Sequence, residues 1–292
     1  MSQKNIINCP ICSGTSLQTK SKVKDHSISK EIFELTECQN CGFLFTNPQP
    51  SGEQLWKYYE SENYVSHSKT SKGFINYWYK QLQGLNLKLK FDVVKKYVPR
   101  GTWIDYGAGA GDFVKYVKQH KIEVIGLEPN EKARKTAREQ NVDLLEPDSI
   151  DNIKAGSISC ITLWHVLEHI PDFSEVLTQL SALLKENGIL VLALPNYKSR
   201  DAQKYQENWA AFDVPRHLWH FTEKDIRNLA DQKDLNLIHI QGMVLDSFYV
   251  SLLSEKYIGG SKLSGIRSGL LSNLSAAKKS SPFSSQIYIL RK

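Results

Sequence analysis

Four cysteines near the start of the chain are spaced for metal binding. They form two C-x-x-C pairs, and a fifth cysteine, Cys160, lies far away in an apolar stretch. Each C-x-x-C makes a tight turn that aims two sulfurs at one point, so two pairs supply the four thiolates of a closed, structural zinc site. A redox dithiol or chance spacing is the alternative. The predicted zinc ligands are Cys9, Cys12, Cys38 and Cys41.

A glycine-rich segment and a downstream acid predict a nucleoside-binding site. Asp105-Tyr-Gly107-Ala-Gly109-Ala-Gly111 closes an expected strand and opens an expected helix, so the backbone passes close to a ligand. Glu128 ends the next expected strand, where a carboxylate accepts both hydroxyls of a ribose. A dinucleotide or S-adenosylmethionine fits this pattern. The second is favoured, because Asp105 would repel a pyrophosphate but can order a cationic amino group, and because the glycine spacing is not G-x-G-x-x-G.

The segments around this loop alternate between strand and helix. Strands are expected at 102–105, 123–128, 142–145, 159–164 and 189–194, and helices at about 112–120, 131–140 and 173–185. Two further strand-like segments, 235–239 and 286–290, enclose a Ser/Gly-rich stretch without an obvious helix, and we expect them to pair antiparallel at the sheet edge. The alternation predicts an α/β fold with a seven-stranded, mostly parallel, Rossmann-like sheet behind an N-terminal zinc ribbon.

Composition and charge exclude some classes of protein. The 292 residues are 41% hydrophobic and 23% charged, which is typical of a globular protein and argues against disorder or a fibre. The net charge of +6 has no dense basic block behind it, so it does not by itself point to nucleic acid. No apolar run approaches the ~20 residues that cross a bilayer, and the N-terminus lacks the apolar region of a secretion signal. We therefore expect a cytoplasmic protein.

Four ordered motifs resemble those of the class I S-adenosylmethionine-dependent methyltransferases, over roughly residues 90–292. The paired cysteines ahead of them resemble a bacterial subgroup that acts on small molecules, often in cell-surface sugar or natural-product pathways. One departure is Tyr106, where many relatives have a small aliphatic residue. The motifs are Ile104-Asp-Tyr-Gly-Ala-Gly-Ala-Gly-Asp112, Gly126-Leu-Glu128-Pro, Thr162-Leu-Trp-His-Val-Leu-Glu-His-Ile-Pro-Asp172 and Leu184-Lys-Glu-Asn-Gly-Ile-Leu-Val-Leu-Ala-Leu-Pro-Asn196.

This resemblance implies three parts of the chain. Residues 1–48 would be the zinc ribbon, 49–95 a helical lid or linker region, and 96–292 the S-adenosylmethionine-binding domain. Within the last part, inserts at 195–222 and 243–283 would face the methyl acceptor. By the same resemblance, Gly107 and Gly109 would face the amino-acid portion of the cofactor, and Glu128 would hold its ribose hydroxyls.

The resemblance also implies contacts to the rest of the cofactor. Asp148 and Ser149, after the third expected strand, would contact the adenine edge. Trp164, at the end of the fourth, would contact the methionine end or the base. Tyr64 belongs to the region that relatives fold as a lid over the cofactor, although a packed core tyrosine is an equally open interpretation.

Histidines after the fourth expected strand are candidates for catalysis. His165, Glu168 and His169 are spaced i, i+3 and i+4, which predicts a shared helix face at the mouth of the sheet. Histidine suits the removal of a proton from a hydroxyl that accepts a methyl group. The same trio could instead bind a divalent metal that orients a diol-like acceptor. A purely structural role in this loop is the third alternative.

The insert after the fifth expected strand supplies a second set of candidates. His217 is a candidate general base, and Arg216 is a candidate holder of a phosphate or carboxylate of the acceptor. His220 is as readily interpreted as a packing residue. Thr222 and Asp225 predict a capping box at the start of a helix.

We expect a methyltransferase that uses S-adenosylmethionine and structural zinc. Its acceptor would be a small molecule, a sugar or other cell-surface or secondary-metabolite precursor, methylated on oxygen or carbon. One alternative is an RNA methyltransferase that docks through the ribbon; it lacks the Asn-Pro-Pro-Tyr motif of base-nitrogen methylation, since Leu163-Trp-His-Val stands there. The other is a non-catalytic zinc-ribbon interaction protein, against which the intact glycine loop and Glu128 argue.

Overall fold

A computed structural model describes residues 3–59 and 74–292 of the chain. The strands are β1 (Gln3–Lys4), β2 (Leu17–Lys24), β3 (Ile32–Cys38), β4 (Leu44–Thr46), β5 (Gln49–Pro50), β6 (Trp103–Tyr106), β7 (Val124–Leu127), β8 (Ile158–Trp164), β9 (Leu184–Pro195), β10 (Trp219–His220), β11 (Asn236–Gly242) and β12 (Ser285–Arg291). The α-helices are α1 (Gly52–Leu55), α2 (Phe74–Lys95), α3 (Asp112–Gln119), α4 (Glu131–Glu139), α5 (Phe173–Leu183), α6 (Arg200–Tyr205), α7 (Glu223–Gln232), α8 (Val244–Tyr257) and α9 (Lys262–Ala277). None of these helices is both long and apolar enough for a membrane span.

The largest sheet is mixed and has six strands in the order β11-β12-β9-β8-β6-β7. The four strands from β9 to β7 are parallel, whereas β12 pairs antiparallel with β9 and β11 pairs antiparallel with β12. The prediction of seven strands is therefore wrong. The expected strand at 142–145 contributes only one parallel bridge, between Leu127 and Leu145. Pro147 opens a 3-10 helix two residues later, and a proline cannot donate to the ladder.

The pairing of the two C-terminal strands at the sheet edge is confirmed, but the expected loop before the last strand is wrong. It contains α8 and α9, which pack on each other through small residues. A Cβ added to Gly265 would lie 2.9 Å from Leu252 Cα, and one on Gly269 would lie 2.9 Å from Phe248 Cα. The helices thus approach too closely for larger side chains. An interface of serine and glycine carries no apolar period, which is why the sequence pattern resembles a loop.

The two faces of the large sheet carry two apolar clusters. Along β8, Cys160 belongs to one cluster and Ile161 to the other, as expected where successive side chains alternate between faces. Cys160 is fully buried, in agreement with its apolar surroundings in the sequence. The cluster around Ile161 also contains Phe43 and Phe45, so the cysteine-rich N-terminal segment shares its core with the sheet.

A second sheet joins this N-terminal segment to the insert after β9. Its order is β10-β4-β3-β2, and Trp219 of β10 pairs with Phe45 of β4. Thr46 strengthens the junction, because its backbone N–H donates to the Leu218 carbonyl (2.9 Å) and its hydroxyl donates to the His217 carbonyl (2.8 Å). We call this four-stranded unit the ribbon sheet. It holds the segment that carries His217 in a fixed position.

Candidate active site

The glycine loop connects β6 to α3 at the carboxyl edge of the parallel strands. Gly109 has a φ of +55°, and a Cβ added there would find no heavy atom within 4 Å, so the space beside it is open. Gly107 is glycine for a different reason, since a Cβ would lie 2.5 Å from Val166 Cγ2 after β8. The loop therefore has a close-packed side and an open side that a ligand can approach.

Glu128 follows β7 and joins it to the glycine loop. Its Oε2 accepts the Gly109 N–H and its Oε1 accepts the Asn130 N–H, both at 2.8 Å. Burial raises the pKa of Glu128, and these two N–H groups oppose that shift because they stabilise the carboxylate. Each carboxylate oxygen keeps a second acceptor position, which suits a pair of ribose hydroxyls.

Asp105 is buried near the carboxyl end of β6, only 2% exposed. The Thr162 hydroxyl donates to its Oδ1 at 2.7 Å. Burial raises the pKa of Asp105 to about 7, since the Thr162 hydrogen bond and the Lys90 charge offset only part of the desolvation. A cation bound next to Asp105 would favour its ionised form.

Trp164 ends β8 and lies between α3 and α2. Its indole meets the Phe113 ring edge-on at 5.1 Å, and the Lys90 ammonium lies 4.7 Å from its ring centroid. The buried indole N–H of Trp164 has no hydrogen-bond partner in the described part of the chain. Such an orphan donor is costly unless a ligand accepts from it.

The other predicted cofactor residues lie beyond β7. Asp148 and Ser149 are in the short 3-10 helix Pro147–Asn152, Asp148 exposed and Ser149 half-buried. Burial and the nearby negative charge of Asp148 raise the pKa of Tyr106. Tyr64 lies outside the described residues.

These features fit a nucleoside cofactor with a charged tail. The open side of Gly109, the spare acceptor positions of Glu128 and the orphan indole N–H of Trp164 all lie at the carboxyl ends of β6, β7 and β8. Ligands bind at this edge in open α/β sheets. We call these residues, with Asp105 and Gly107, the cofactor site.

The histidine cluster begins one residue after Trp164. His165 has a φ of +56°, and only the single 3-10 turn Leu167–His169 follows, so the expected shared helix face is absent. His165 Nε2 lies 3.0 Å from Asp246 Oδ2, and its Nδ1 lies 3.5 Å from Glu168 Oε1. Burial lowers the pKa of His165, but these two carboxylates outweigh it and raise the pKa to about 9.

The pKa of His169 is shifted in the opposite direction to that of His165. Burial, together with the nearby His217, lowers the pKa of His169 to about 4. Its Nδ1 lies 3.0 Å from the Arg216 carbonyl oxygen, and the Tyr59 hydroxyl lies 3.0 Å from the same nitrogen. Because a carbonyl oxygen only accepts, the hydrogen is on Nδ1, and Nε2 is the bare ring nitrogen.

His217 comes from the insert and joins the same cluster. Its Nδ1 lies 2.8 Å from the Ala211 carbonyl oxygen, which again leaves Nε2 bare. That Nε2 is 4.0 Å from Glu168 Oε1, and the ring meets that of His169 edge-on at 4.6 Å. The two histidines predicted separately therefore meet around one buried carboxylate. The histidine cluster is His165, Glu168, His169 and His217.

Arg216 is held by the protein's own acids. It is 3% exposed, with Nη2 at 2.5 Å from Asp213 Oδ1 and 3.3 Å from Asp25 Oδ1, and with Nη1 donating to the Tyr58 carbonyl. This corrects the expectation that Arg216 binds an acidic group of the acceptor. The Thr222–Asp225 capping box is confirmed, and His220 is buried with its Nε2 3.3 Å from the Thr46 hydroxyl.

The four N-terminal cysteines converge. Cys9 and Cys41 bring their sulfurs to 3.6 Å, as do Cys12 and Cys38, and the four sulfurs lie within 4.8 Å of one another. In a tetrahedral zinc site with Zn–S bonds near 2.3 Å, sulfurs are about 3.8 Å apart. The arrangement is compatible with zinc in a closed four-thiolate site.

The contacts of two polar residues at these sites were not predicted, although Asp246 falls in the predicted acceptor-side insert 243–283. Asp246, which binds His165, lies 81 residues away at the start of α8. Lys90, which faces Trp164 and acts on Asp105, comes from α2. Neither stands in a motif, so only the fold identifies them.

Comparison with known proteins agrees with this fold. A family model described as "Methyltransferase domain" matches residues 79–240, more than half of the chain, and the chain belongs to that family. A curated relative from Alkaliphilus oremlandii, named "Uncharacterized methyltransferase", is 22% identical over 109 residues, which cover 36% of this chain and 50% of the relative. The chain thus spans about half the length of the curated relative that it matches.

Solved structures show the same fold at low identity. The [4+2]-cyclase SpnF has a TM-score of 0.56 and 13% identity, covering 84% of this chain and 97% of SpnF. Phosphoethanolamine N-methyltransferase 2 of Haemonchus contortus, solved with S-adenosyl-L-methionine, has a TM-score of 0.52 and 14% identity, covering 94% of this chain and 68% of that chain. Because a cyclase shares the fold, the fold does not specify the reaction.

Proposed function

We propose that the protein is an S-adenosylmethionine-dependent methyltransferase with a small-molecule acceptor. The observation that carries this proposal is the position of Glu128. Its carboxylate is fixed by the Gly109 and Asn130 N–H groups beside open space, as a ribose-binding acid has to be. Membership of the methyltransferase-domain family supports the same cofactor.

Different residues of the cofactor site bind different parts of S-adenosylmethionine. Glu128 holds the ribose, Asp105 receives the cationic amino group, and the Trp164 indole N–H donates to an acceptor on the cofactor. Asp148 and Ser149, in the 3-10 helix Pro147–Asn152, would contact the adenine. Bound S-adenosylmethionine supplies an electrophilic methyl group, whose bond to sulfur breaks, leaving the electron pair on sulfur, as the bond to the acceptor forms.

The histidine cluster serves the acceptor. It follows β8 directly after Trp164, next to the proposed methionine end of the cofactor. His169 and His217 each donate one ring N–H to a backbone carbonyl, so each presents a bare Nε2 that can take the acceptor proton. His165 is fixed between Asp246 and Glu168 and orients this group. A hydroxyl, or a carbon acid beside a carbonyl, is the acceptor that needs such a proton acceptor.

The ribbon sheet gives little support to RNA docking. Two of the three lysines on its strand β2 are paired with acids, Lys20 with Glu37 and Lys22 with Glu34 at 3.1 Å. Neutralised lysines are a poor phosphate-binding surface. A structural zinc centre that holds the insert against the sheet agrees better with the observed contacts.

The test is methyl transfer from labelled S-adenosylmethionine. The full chain is incubated with hydroxyl-bearing metabolites, including sugar nucleotides, and in parallel with total RNA. We expect label in the small-molecule fraction and a product heavier by one methyl group. Label only in RNA would establish the alternative function, and failure to bind S-adenosylhomocysteine in calorimetry would refute both.

A further inference from the structure

The histidine cluster contains a set of metal-ligand atoms that is distinct from the four cysteines. Glu168, His169 and His217 each offer one ligand atom, and these three atoms lie within 4.8 Å of one another. In a tetrahedral site with bonds of about 2.1 Å, ligand atoms are about 3.4 Å apart. Side-chain rotations that shorten each distance between ligand atoms by at most about 1.4 Å would therefore bring the three atoms to the spacing that an ion requires.

Glu168 is the strongest sign that something is bound. It is 1% exposed, and in the described part of the chain neither carboxylate oxygen has a hydrogen-bond partner. The nearest ring nitrogens are His165 Nδ1 at 3.5 Å and His217 Nε2 at 4.0 Å. The nearby His165 ring attracts this carboxylate but does not satisfy its lone pairs, and a divalent cation next to it would do both.

The two histidines are prepared as ligands. Each donates Nδ1–H to a backbone carbonyl, His169 to Arg216 and His217 to Ala211. This second hydrogen bond is the usual companion of a metal-bound histidine, because it fixes the tautomer and the ring orientation. His165 does not belong to the set of residues whose ligand atoms all lie within 4.8 Å of one another.

We propose that Glu168, His169 and His217 bind one divalent transition-metal ion at the carboxyl end of β8, with positions left open for oxygen atoms of the acceptor. Two imidazoles and one carboxylate suit Zn²⁺, Mn²⁺, Fe²⁺, Co²⁺ or Ni²⁺. Three protein ligands leave room for substrate, unlike the closed cysteine site. The inference deepens the proposed function. Binding of the metal does not depend on that function; only the use of the metal in methyl transfer rests on it. With the ion bound, the two Nε2 atoms act as ligands and no longer as proton acceptors. The ion would hold an acceptor with neighbouring oxygens, such as a sugar diol, and lower the pKa of its hydroxyl, whose proton passes to water.

The test is cobalt binding to the full chain loaded with a single equivalent of zinc, which fills the closed four-thiolate site and leaves the histidine site free. Calorimetry should detect one Co²⁺ per chain in addition to the zinc. The visible spectrum should show the weak bands of nitrogen and oxygen ligands, without the intense near-ultraviolet absorption of cobalt thiolates. Cobalt bound only with thiolate absorption, or no cobalt bound, would overturn the proposal.

Three variants locate the site. Glu168→Gln keeps the size of the side chain and removes its charge, and His217→Gln removes one ligand; each should weaken cobalt binding at least ~10-fold. His120→Gln, at an exposed histidine after α3, is the matched control and should bind like the parent protein. Unchanged affinity in Glu168→Gln would refute the assignment. If that variant does not fold by circular dichroism, His217→Gln and the parent stoichiometry decide.

S-adenosylhomocysteine binding, measured on the same samples, separates the two proposals. Cobalt binding without S-adenosylhomocysteine binding leaves the metal site and removes the methyltransferase function. The reverse result removes the metal site alone.

Discussion

Replacing Glu128 tests the cofactor site most directly. In Glu128→Ala, the Gly109 and Asn130 N–H groups lose their acceptor, and a ribose loses the carboxylate that would accept its two hydroxyls. A hydrogen bond to a charged group contributes roughly 1.5–3 kcal/mol. Two such bonds at the lower end amount to about 3 kcal/mol, which raises the dissociation constant of S-adenosylhomocysteine about 150-fold.

The assay is calorimetric titration of S-adenosylhomocysteine into matched variants. Glu128→Gln separates chemistry from volume, because its amide must set an N–H₂ group against the N–H of either Gly109 or Asn130. It should also bind at least ~10-fold more weakly. Glu131→Gln is the control, an exposed acid three residues further along at the start of α4, and we expect the parent affinity.

Two results would refute the reasoning. One is binding by Glu128→Ala within about threefold of the parent protein, which is less than a single hydrogen bond to a charged group contributes. The other is an equal loss in Glu131→Gln, which would mean that the general acidity of this region, and not the fixed carboxylate, determines affinity. Circular dichroism on each variant distinguishes lost binding from lost folding.

Three further predictions concern the loop, the buried acid and the cysteines. Gly109→Ala and Gly156→Ala each place a Cβ at a residue with positive φ and open space around it, so each variant should lose about 1 kcal/mol of folding stability. Only Gly109→Ala should also weaken S-adenosylhomocysteine binding. Equal affinity in the two variants would contradict this prediction. The pKa of Asp105 is raised from its ordinary value of 3.8 to about 7 in the folded protein. Between these pH values the folded state holds one proton more than the unfolded state. The free energy of unfolding therefore falls as pH rises through that window, by up to on the order of 4 kcal/mol. In urea unfolding without cofactor, the stability of Asp105→Asn should rise relative to that of the parent protein from pH 5 to pH 8. Parallel plots of stability against pH for the two proteins would refute the prediction. After dialysis against a mild chelator that empties open metal sites, elemental analysis should find one zinc per chain, lost in Cys38→Ser and kept in Cys160→Ala; a folded, zinc-free parent protein would refute the zinc site.

Local features were predictable from sequence because their cause is local. The glycine loop between β6 and α3 follows from residues that tolerate positive φ, and Asn130 caps α4 by accepting the Ala133 N–H at 3.1 Å. The convergence of Cys9 with Cys41 follows from paired turns. In each case the residue types constrain the backbone within a few positions.

The histidine cluster was predictable only in part because its contacts are distant. The i, i+3, i+4 spacing placed His165 beside Glu168 and His169 on a helix face. Instead, the positive φ of His165 turns its ring to Asp246, and His217 completes the group around Glu168. His165 and His169 are both half-buried, and their opposite pKa shifts follow from their neighbours: His165 has Asp246 and Glu168 within 3.5 Å of its ring nitrogens, whereas desolvation and the nearby His217 dominate at His169.

The position of His217 also gives the cysteine site a role beyond local stability. Thr46 of β4 donates hydrogen bonds to the carbonyl oxygens of His217 and Leu218, and the Gln49 side chain donates another to the Leu218 carbonyl at 3.3 Å. β4 begins three residues after Cys41, so a chain without zinc loses the turn that starts this strand. Glu128 follows β7, an edge strand of the large sheet, and within the described residues its carboxylate is hydrogen-bonded to Gly109 and Asn130, not to the ribbon sheet. Loss of zinc should therefore disturb the histidine cluster while S-adenosylhomocysteine binding persists, which makes the ribbon sheet a support for the acceptor side of the site.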